Sequence, residues 1–196
     1  MFWDMSDRIK KQMDDLEAID SRDRQDGTPK AKRLRQVVPE TGKFLALAAA
    51  STPPGQWIEI GTSGGYSGLW ISLACRLRQQ KLITFEISPE KVRLAEETFN
   101  AAGVKDFVDV IQGDAHRLVK SYAEISFCFL DAEKEGYLEF YELVVPNMVP
   151  GGWFIADNIT SHGDELKSFV EIVMDDQRVD ALVLSHGKGL LLCRRL

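Results

Sequence analysis

The chain has 196 residues, enough for one domain with a sizeable core, and its 44% hydrophobic and 28% charged residues are ordinary for a globular protein. The net charge of −6 argues against an extended phosphate-binding face, and no apolar run reaches membrane-spanning length. The start of the chain does not resemble a signal peptide, and three widely spaced cysteines favour free thiols over disulfides. We therefore expect a cytoplasmic protein.

Two helices are predicted ahead of the first strand. Apolar residues recur at helical spacing at Met5, Ile9, Met13, Leu16 and Ile19. A polar loop, Ser21–Lys30, separates this helix from a second one at Glu40–Ala50, which ends before two prolines. Residues 1–52 are interpreted as a lid or partner-binding layer, although packing alone would also explain the first helix. Exposed aromatic residues at Phe2 and Trp3 predict a homodimer.

From residue 57 to residue 196 the pattern predicts an α/β core in which strands and helices alternate. The predicted strands are Trp57–Ile60, Leu82–Phe85, Val108–Gln112, Ile125–Leu130 and Trp153–Ala156. The predicted helices are Ser67–Arg78, Pro89–Ala101, Arg117–Ser121, Gly136–Met148 and Asp164–Asp175. Such alternation indicates a parallel sheet with helices on both faces. Asp180–Ser185 and Leu190–Arg195 flank HGKG and predict a closing antiparallel hairpin.

The segment Trp57–Ala74 predicts a buried strand, a tight turn and a helix. Gly61, Gly64 and Gly65 let the backbone turn sharply and lie close to a bound molecule, while the helix directs its free N–H groups at that molecule. Glu86 ends the next strand, where an acid can accept hydrogen bonds from two ribose hydroxyls. These features predict an adenosine-containing cofactor.

Polar side chains also follow the later strands. Asp114 follows the third strand, Asp131 the fourth, and Asp157 and Asn158 the fifth. Because the carboxyl ends of parallel strands face one crevice, two carboxylates and an amide oxygen there suit a hard cation, Mg²⁺ first and Ca²⁺ or Mn²⁺ next. Alternatively, Asp157 and Asn158 cap a helix and Asp131 is a loop acid.

Two further charged residues have open roles. Lys134 follows Asp131 by three positions, so a nearby cation would lower its pKa and make it a proton acceptor. It could equally be a surface lysine paired with Glu133 or Glu135. Glu59 could bond the backbone of its own turn or contact the cofactor.

Several motifs together resemble the cation-dependent O-methyltransferases, the S-adenosylmethionine (SAM) family that includes the catechol and caffeoyl-CoA enzymes. The motifs are EIGTSGGYS, ITFEISPEK, GDA, FLDAEKEGY, PGGWFIADN and the closing hairpin. The resemblance covers about Leu34 to Leu196 and keeps the motif order. It implies a Rossmann-like class I methyltransferase fold, whose seven-stranded, mostly parallel sheet has an antiparallel last strand.

The resemblance also implies roles for individual residues. The implied cofactor contacts are Val37, Glu59, Gly61, Thr62, Ser63, Ser67, Glu86, Asp114, Ala115 and Asp131. The implied metal ligands are Asp131, Asp157 and Asn158, and the implied catalytic residues are Lys134 and Asp131. The implied reaction is methyl transfer from SAM to a hydroxyl of a small, aromatic vicinal diol. Ile159-Thr160 replaces the Leu-Trp pair that many members carry, and the following segment is short, which leaves the substrate open.

Three alternatives remain at this point. A methyltransferase of a hydroxylated tRNA base could use a basic patch to bind phosphates, namely Lys30, Lys32, Arg33 and Arg35. A nicotinamide-dependent oxidoreductase would share the strand–turn–helix unit, but the glycines lack the G-x-G-x-x-G order. A binding module could keep the cofactor pocket without catalysis.

Overall fold

The computed structural model describes residues 1–196 and contains one seven-stranded sheet, in the order β3-β2-β1-β4-β5-β7-β6. The strands are β1 (Gln56–Ile60), β2 (Leu82–Glu86), β3 (Val108–Gln112), β4 (Ile125–Leu130), β5 (Met148–Ala156), β6 (Val179–Leu184) and β7 (Leu190–Arg195). The helices are α1 (Asp7–Asp23), α2 (Pro39–Ala50), α3 (Tyr66–Arg78), α4 (Pro89–Ala102), α5 (Ala115–Leu118), α6 (Tyr137–Val144) and α7 (Gly163–Met174). Only β7 runs antiparallel to its neighbours, which confirms the predicted fold.

The sheet separates two apolar layers. Every residue of β4 is buried, and successive side chains of a strand point to opposite faces. Phe127 and Phe129 accordingly pack with α1 to α4 on one face, whereas Cys128 and Leu130 pack with α6 and α7 on the other. Apolar cover on both faces explains why β4 is a nearly continuous hydrophobic run.

Three predicted boundaries after β3 are wrong. The fifth strand begins at Met148 rather than Trp153, because Met148 pairs with Ile125 before the strand becomes irregular. The helix before it ends at Val144 because Pro146 has no N–H to donate, and a 3₁₀ turn follows. The predicted helix at Arg117–Ser121 is instead α5 followed by a 3₁₀ turn.

The N-terminal region also departs from the prediction. α1 continues through Asp23, so its last turn occupies the start of the predicted loop. Phe2 is half-buried, with its ring edge against Trp70 at a centroid distance of 6.0 Å, so the expectation that it is exposed is wrong. Trp3 is 99% exposed. The homodimer and the lid role of residues 1–52 stay predictions.

The composition predicts free cysteines and no membrane-spanning segment. All three cysteines are free and buried, as predicted. None of the helices combines the length and the apolar character that crossing a membrane requires.

Candidate active site

A cavity of about 680 Å³ lies at the carboxyl ends of β1 to β5, a volume typical of small-molecule sites. Most of the predicted site residues line it, namely Val37, Gly61, Thr62, Ser63, Ser67, Glu86, Asp114, Ala115, Asp131, Lys134 and Asn158. Glu59 and Asp157 are not among the lining residues and lie behind the cavity wall. The cavity therefore brings together the predicted cofactor contacts other than Glu59 and two of the three predicted metal ligands, Asp131 and Asn158.

The turn after β1 lies very close to the end of β4. Gly61 has a φ of +105°, and a Cβ at this position would lie 2.2 Å from the backbone oxygen of Asp131. Only glycine tolerates both the backbone conformation and this approach. The turn then leads into α3, whose first residues face the cavity.

Glu86, at the end of β2, lines the cavity and is oriented by two backbone amides. Its Oε2 accepts a hydrogen bond from the Ser63 amide (2.8 Å), and its Oε1 accepts one from the Ser88 amide (2.9 Å). These bonds fix the carboxylate against the turn after β1. Each carboxylate oxygen still has a free lone pair that can accept a bond from a ribose hydroxyl.

Glu59 is fully buried and supports α3 from behind. Its two carboxylate oxygens accept hydrogen bonds from the hydroxyls of Ser67 and Thr84. Burial raises the pKa of Glu59 to about 7, against the opposing effect of these bonds. Because Ser67 lines the cavity, Glu59 acts on the site through it.

Asp114 caps α5 and faces the cavity. Its Oδ1 accepts a hydrogen bond from the His116 amide at 3.0 Å, which lowers the pKa of the carboxyl. The His116 ring stacks on Phe140 with centroids 3.9 Å apart. The sequence does not predict this stack, because Phe140 comes from the distant α6 and no spacing pattern relates the two residues.

Asp131 and Asn158 line the cavity at the ends of β4 and β5. We call this part of the cavity the acceptor end, because the resemblance implies metal ligands there beside the methyl acceptor. Nδ2 of Asn158 donates to Oδ1 of Asp131 at 2.6 Å, and Asn158 has a φ of +68°. Oδ1 of Asp157 is buried without a hydrogen-bond partner. Burial and the charge of Asp131 raise the pKa of Asp157 to about 6. Neither Asp157 nor Asn158 caps α7, whose N-cap is His162, so the capping alternative is wrong.

Lys134 is 9% exposed and directs its ammonium toward the same end. Nζ donates to Oδ1 of Asp131 (3.3 Å), the carbonyl of Ala132 (2.7 Å) and the Tyr137 hydroxyl (2.8 Å). The surface-lysine alternative is therefore wrong. Burial lowers the pKa of Lys134 even without a cation, while Asp131 opposes this shift.

Tyr137 is a second residue at the site that the sequence pattern does not predict. Its hydroxyl accepts a bond from Lys134 and donates to the backbone carbonyl of Asp157 at 3.2 Å. It thus links the lysine to the end of β5. A tyrosine at the start of a helix is usually a packing residue, so the sequence offered no signal.

A short segment that we call the strap, Leu34–Val37, lines the cavity. The carbonyl of Leu34 accepts a bond from the Ser63 hydroxyl, and the Arg35 amide donates to Asp20. The Arg35 guanidinium pairs with Glu133, across the cavity mouth. Val37, the last residue of the strap, is buried.

Two of the four residues of the predicted basic patch are bonded to other parts of the protein. Arg33 donates to the backbone carbonyl of Thr28, and Arg35 is neutralised by Glu133. Lys30 and Lys32 are exposed. The patch is therefore smaller than the sequence suggests.

Comparison with known families identifies the chain. The sequence profile of a family described as O-methyltransferase matches residues 21–196. The chain belongs to the O-methyltransferase family. This confirms the predicted resemblance and decides against the nicotinamide-dependent oxidoreductase.

Individual members of the O-methyltransferase family are similar at a moderate level. A catechol O-methyltransferase of Niastella koreensis is 30% identical over 135 residues, which cover 66% of this chain and 61% of that protein. The matched part is thus less than two thirds of that relative. A flavonoid 3',5'-methyltransferase of Vitis vinifera is 29% identical over 188 residues, covering 83% of this chain and 80% of that protein.

Solved structures of methyltransferases share the fold. An SAH-bound methyltransferase from Podospora anserina superposes with a TM-score of 0.81 at 22% identity, over 97% of this chain and 88% of that one. The O-methyltransferase TomG from Streptomyces achromogenes, in complex with SAM, gives a TM-score of 0.77 at 24% identity, over 92% and 88%. At these identities the similarity concerns the architecture.

Proposed function

We propose that this protein transfers a methyl group from SAM to a hydroxyl oxygen of a small aromatic vicinal diol, assisted by a divalent cation, with Mg²⁺ the first choice. The observation that carries this proposal is the meeting of Asp131, Asn158 and Lys134 at one end of a cavity that contains Glu86 elsewhere on its wall. The names of the Niastella and Vitis relatives support an aromatic acceptor.

The cofactor would occupy the part of the cavity next to β1, β2 and β3. Glu86 would accept hydrogen bonds from the ribose hydroxyls, since its two oxygens are already oriented by backbone amides. Asp114 and Ala115 would border the adenine, near the His116–Phe140 stack. The turn at Gly61, Thr62 and Ser63 would contact the remainder of the cofactor.

The side chains at the ends of β4 and β5 fit a hard cation. Oδ1 of Asp157 is a buried oxygen without a partner, and a second carboxylate, Asp131, raises its pKa. Burying two carboxylates is costly, and of these two the Lys134 ammonium bonds only Asp131, which leaves Oδ1 of Asp157 without a partner. The third ligand would be the side-chain amide oxygen of Asn158. Its amide nitrogen now faces Asp131, and a rotation of the amide group by about 180° would bring the oxygen to that position. No three His, Cys, Asp or Glu side chains are placed so that they could hold a metal ion, so the Asn158 amide oxygen would complete the set with Asp131 and Asp157.

When bound, SAM supplies the methyl group and the cation lowers the pKa of the acceptor hydroxyl. Lys134, as a neutral amine, would take the hydroxyl proton at Nζ. The hydroxyl oxygen then bonds to the methyl carbon as the carbon–sulfur bond breaks, giving a methyl ether and S-adenosylhomocysteine. Asp131 and Tyr137 would hold the resulting ammonium in place. The strap would exclude water from the cavity.

A methyl-transfer screen tests this function. The purified protein is incubated with methyl-labelled SAM and with catechol, a flavonoid, a caffeoyl ester or tRNA, each with Mg²⁺ or EDTA. We expect Mg²⁺-dependent labelling of the diols. Labelling confined to tRNA would overturn the small-molecule acceptor, and SAM binding without transfer to any acceptor would favour the binding module.

A further inference from the structure

Lys188 is held at the acceptor end of the cavity by the turn between β6 and β7. Its backbone carbonyl accepts hydrogen bonds from the amides of Thr160 (2.9 Å) and Ser161 (3.0 Å), which directly follow the Asn158 segment. Gly189, with a φ of +86°, allows this contact, because a Cβ there would lie 2.1 Å from the Thr160 hydroxyl. Lys188 also lines the cavity, so its position is fixed relative to Asn158.

The ammonium group of Lys188 has weak, neutral partners. Nζ donates to the carbonyls of Arg35 (3.4 Å) and Gln36 (3.3 Å), which are long hydrogen bonds. An ammonium has three donors, so at least one remains for a ligand. Lys134 differs, since its donors include a bond to the Asp131 carboxylate. Lys188 is therefore a half-buried cation at a cavity wall with no carboxylate bonded to it.

The charges around this part of the cavity favour an anion. Arg35 and Glu133 neutralise each other, and Lys30 is an exposed cation that lies near enough to Glu133 to lower the pKa of that carboxyl. Lys188 in turn lies near enough to Asp157 to oppose the rise in its pKa. If Asp157 binds a cation, Lys188 stands at the cavity with only backbone carbonyls bonded to its ammonium group.

We propose that Lys188 binds an oxyanion group of the methyl acceptor, a carboxylate or a phosphate ester, so that the enzyme prefers acidic hydroxylated aromatic compounds to neutral ones. This inference rests on the proposed function and extends it to acceptor selection. An oxyanion would offer the ammonium a shorter, charge-assisted bond in place of its two long bonds to strap carbonyls. The acceptor hydroxyl would meanwhile face Asp131 and Asn158.

The experiment compares acceptors that differ only in charge. Values of kcat/KM are measured with SAM and Mg²⁺ for 3,4-dihydroxybenzoate, 3,4-dihydroxybenzamide and 3,4-dihydroxyphenylphosphonate. We expect wild type to prefer the benzoate or the phosphonate over the amide by about 10-fold or more. The anion with the higher kcat/KM shows whether Lys188 favours a carboxylate or a phosphate-like group. In Lys188→Gln the ratio of kcat/KM for the anionic acceptor to that for the amide should fall close to one. Lys188→Arg should keep most of the wild-type ratio.

Lys167→Gln is the matched control, because Lys167 is exposed on α7 and paired with Glu171. It removes the same charge and should leave every kcat/KM unchanged. The anion-to-amide ratio is the readout, since a role of Lys188 in holding the strap or in balancing Asp157 would lower all three values together. An equal loss for all acceptors, or no preference in wild type, would overturn the inference while the proposed function stands. Failure to methylate any of the three would overturn both.

Discussion

Asn158 donates its side-chain amide to Asp131 across 2.6 Å, although 27 residues separate them in sequence. The contact exists because β4 and β5 are parallel neighbours that end together, with Leu130 paired to Ala156. It joins the two strand ends beside the buried, unpartnered oxygen of Asp157. The arrangement explains why the proposed chemistry is concentrated at this edge of the sheet.

Replacement of Lys134 tests its role as proton acceptor. We expect Lys134→Met to lower kcat by about 10²–10³-fold with little change in the KM for SAM. Lys134→Arg keeps the positive charge but cannot accept a proton, so it should not restore kcat. Steady-state kinetics of both variants measure this, with the exposed Lys81→Met as control. Recovery of kcat in Lys134→Arg would show that the charge alone matters.

Glu86→Gln should weaken cofactor binding. In the wild type, the backbone N–H groups of Ser63 and Ser88 both donate to the Glu86 carboxylate. The glutamine side chain has no negative charge, and its NH₂ group would face one of these N–H donors, so one of the two bonds is lost. We expect the Kd for SAM to rise about 10–100-fold, the scale of a charged hydrogen bond. Isothermal titration calorimetry gives the value. Glu96→Gln is the control, because Glu96 lies on the exposed side of α4, and this variant should bind SAM as tightly as wild type. Equal SAM affinity in Glu86→Gln and Glu96→Gln would show that Glu86 does not bind SAM.

Glu59 gives the protein a specific pH dependence of stability. Its pKa is about 7 when folded, compared with an ordinary value of 4.5. Between these values the folded state retains a proton that the unfolded state has lost, so the free energy of unfolding falls as the pH rises through this window. Wild type should lose about 2 kcal/mol more than Glu59→Gln between pH 5 and pH 8, as measured by urea unfolding. Parallel pH profiles would contradict this assignment.

Gly61→Ala should damage both the fold and the site. The new Cβ would collide with the backbone of Asp131, and alanine would also be strained at the φ of +105° that Gly61 adopts. Gly27→Ala is the matched control, because Gly27 has a φ of +83° but nothing within 4 Å of the added atom. We expect calorimetry to show a Tm loss of more than about 6 °C for Gly61→Ala and less than about 4 °C for Gly27→Ala. Similar losses would mean that backbone conformation, rather than the close approach, is decisive.

Sequence patterns predicted features that depend on local order. The glycine turn, the acid that ends β2 and the acids after β4 and β5 follow from the alternation of strands and helices, because parallel strands bring their carboxyl ends to one edge. Element ends were less predictable. The start of β5 depends on pairing with Ile125, a relationship that Pro150 and the neighbouring glycines conceal in the sequence.

Features that depend on tertiary contacts were not predictable. The bond from Tyr137 to Asp157 and the stack of His116 on Phe140 join distant elements without a shared spacing pattern. Lys188 comes from a hairpin that gave only a turn signal. Glu59 was assigned to the turn or the cofactor, yet its oxygens bond Ser67 and Thr84.

Magnesium titration of EDTA-treated protein, with SAM and an acceptor diol, tests the central claim most directly. Wild type should be inactive without added cation and should regain activity as Mg²⁺ is added. Asp157→Ala should need at least about 10-fold more Mg²⁺ or stay inactive, whereas Asp14→Ala, which removes an exposed carboxylate from α1, should match wild type. Full turnover of wild type in EDTA, or an unchanged Mg²⁺ response in Asp157→Ala, would contradict the account.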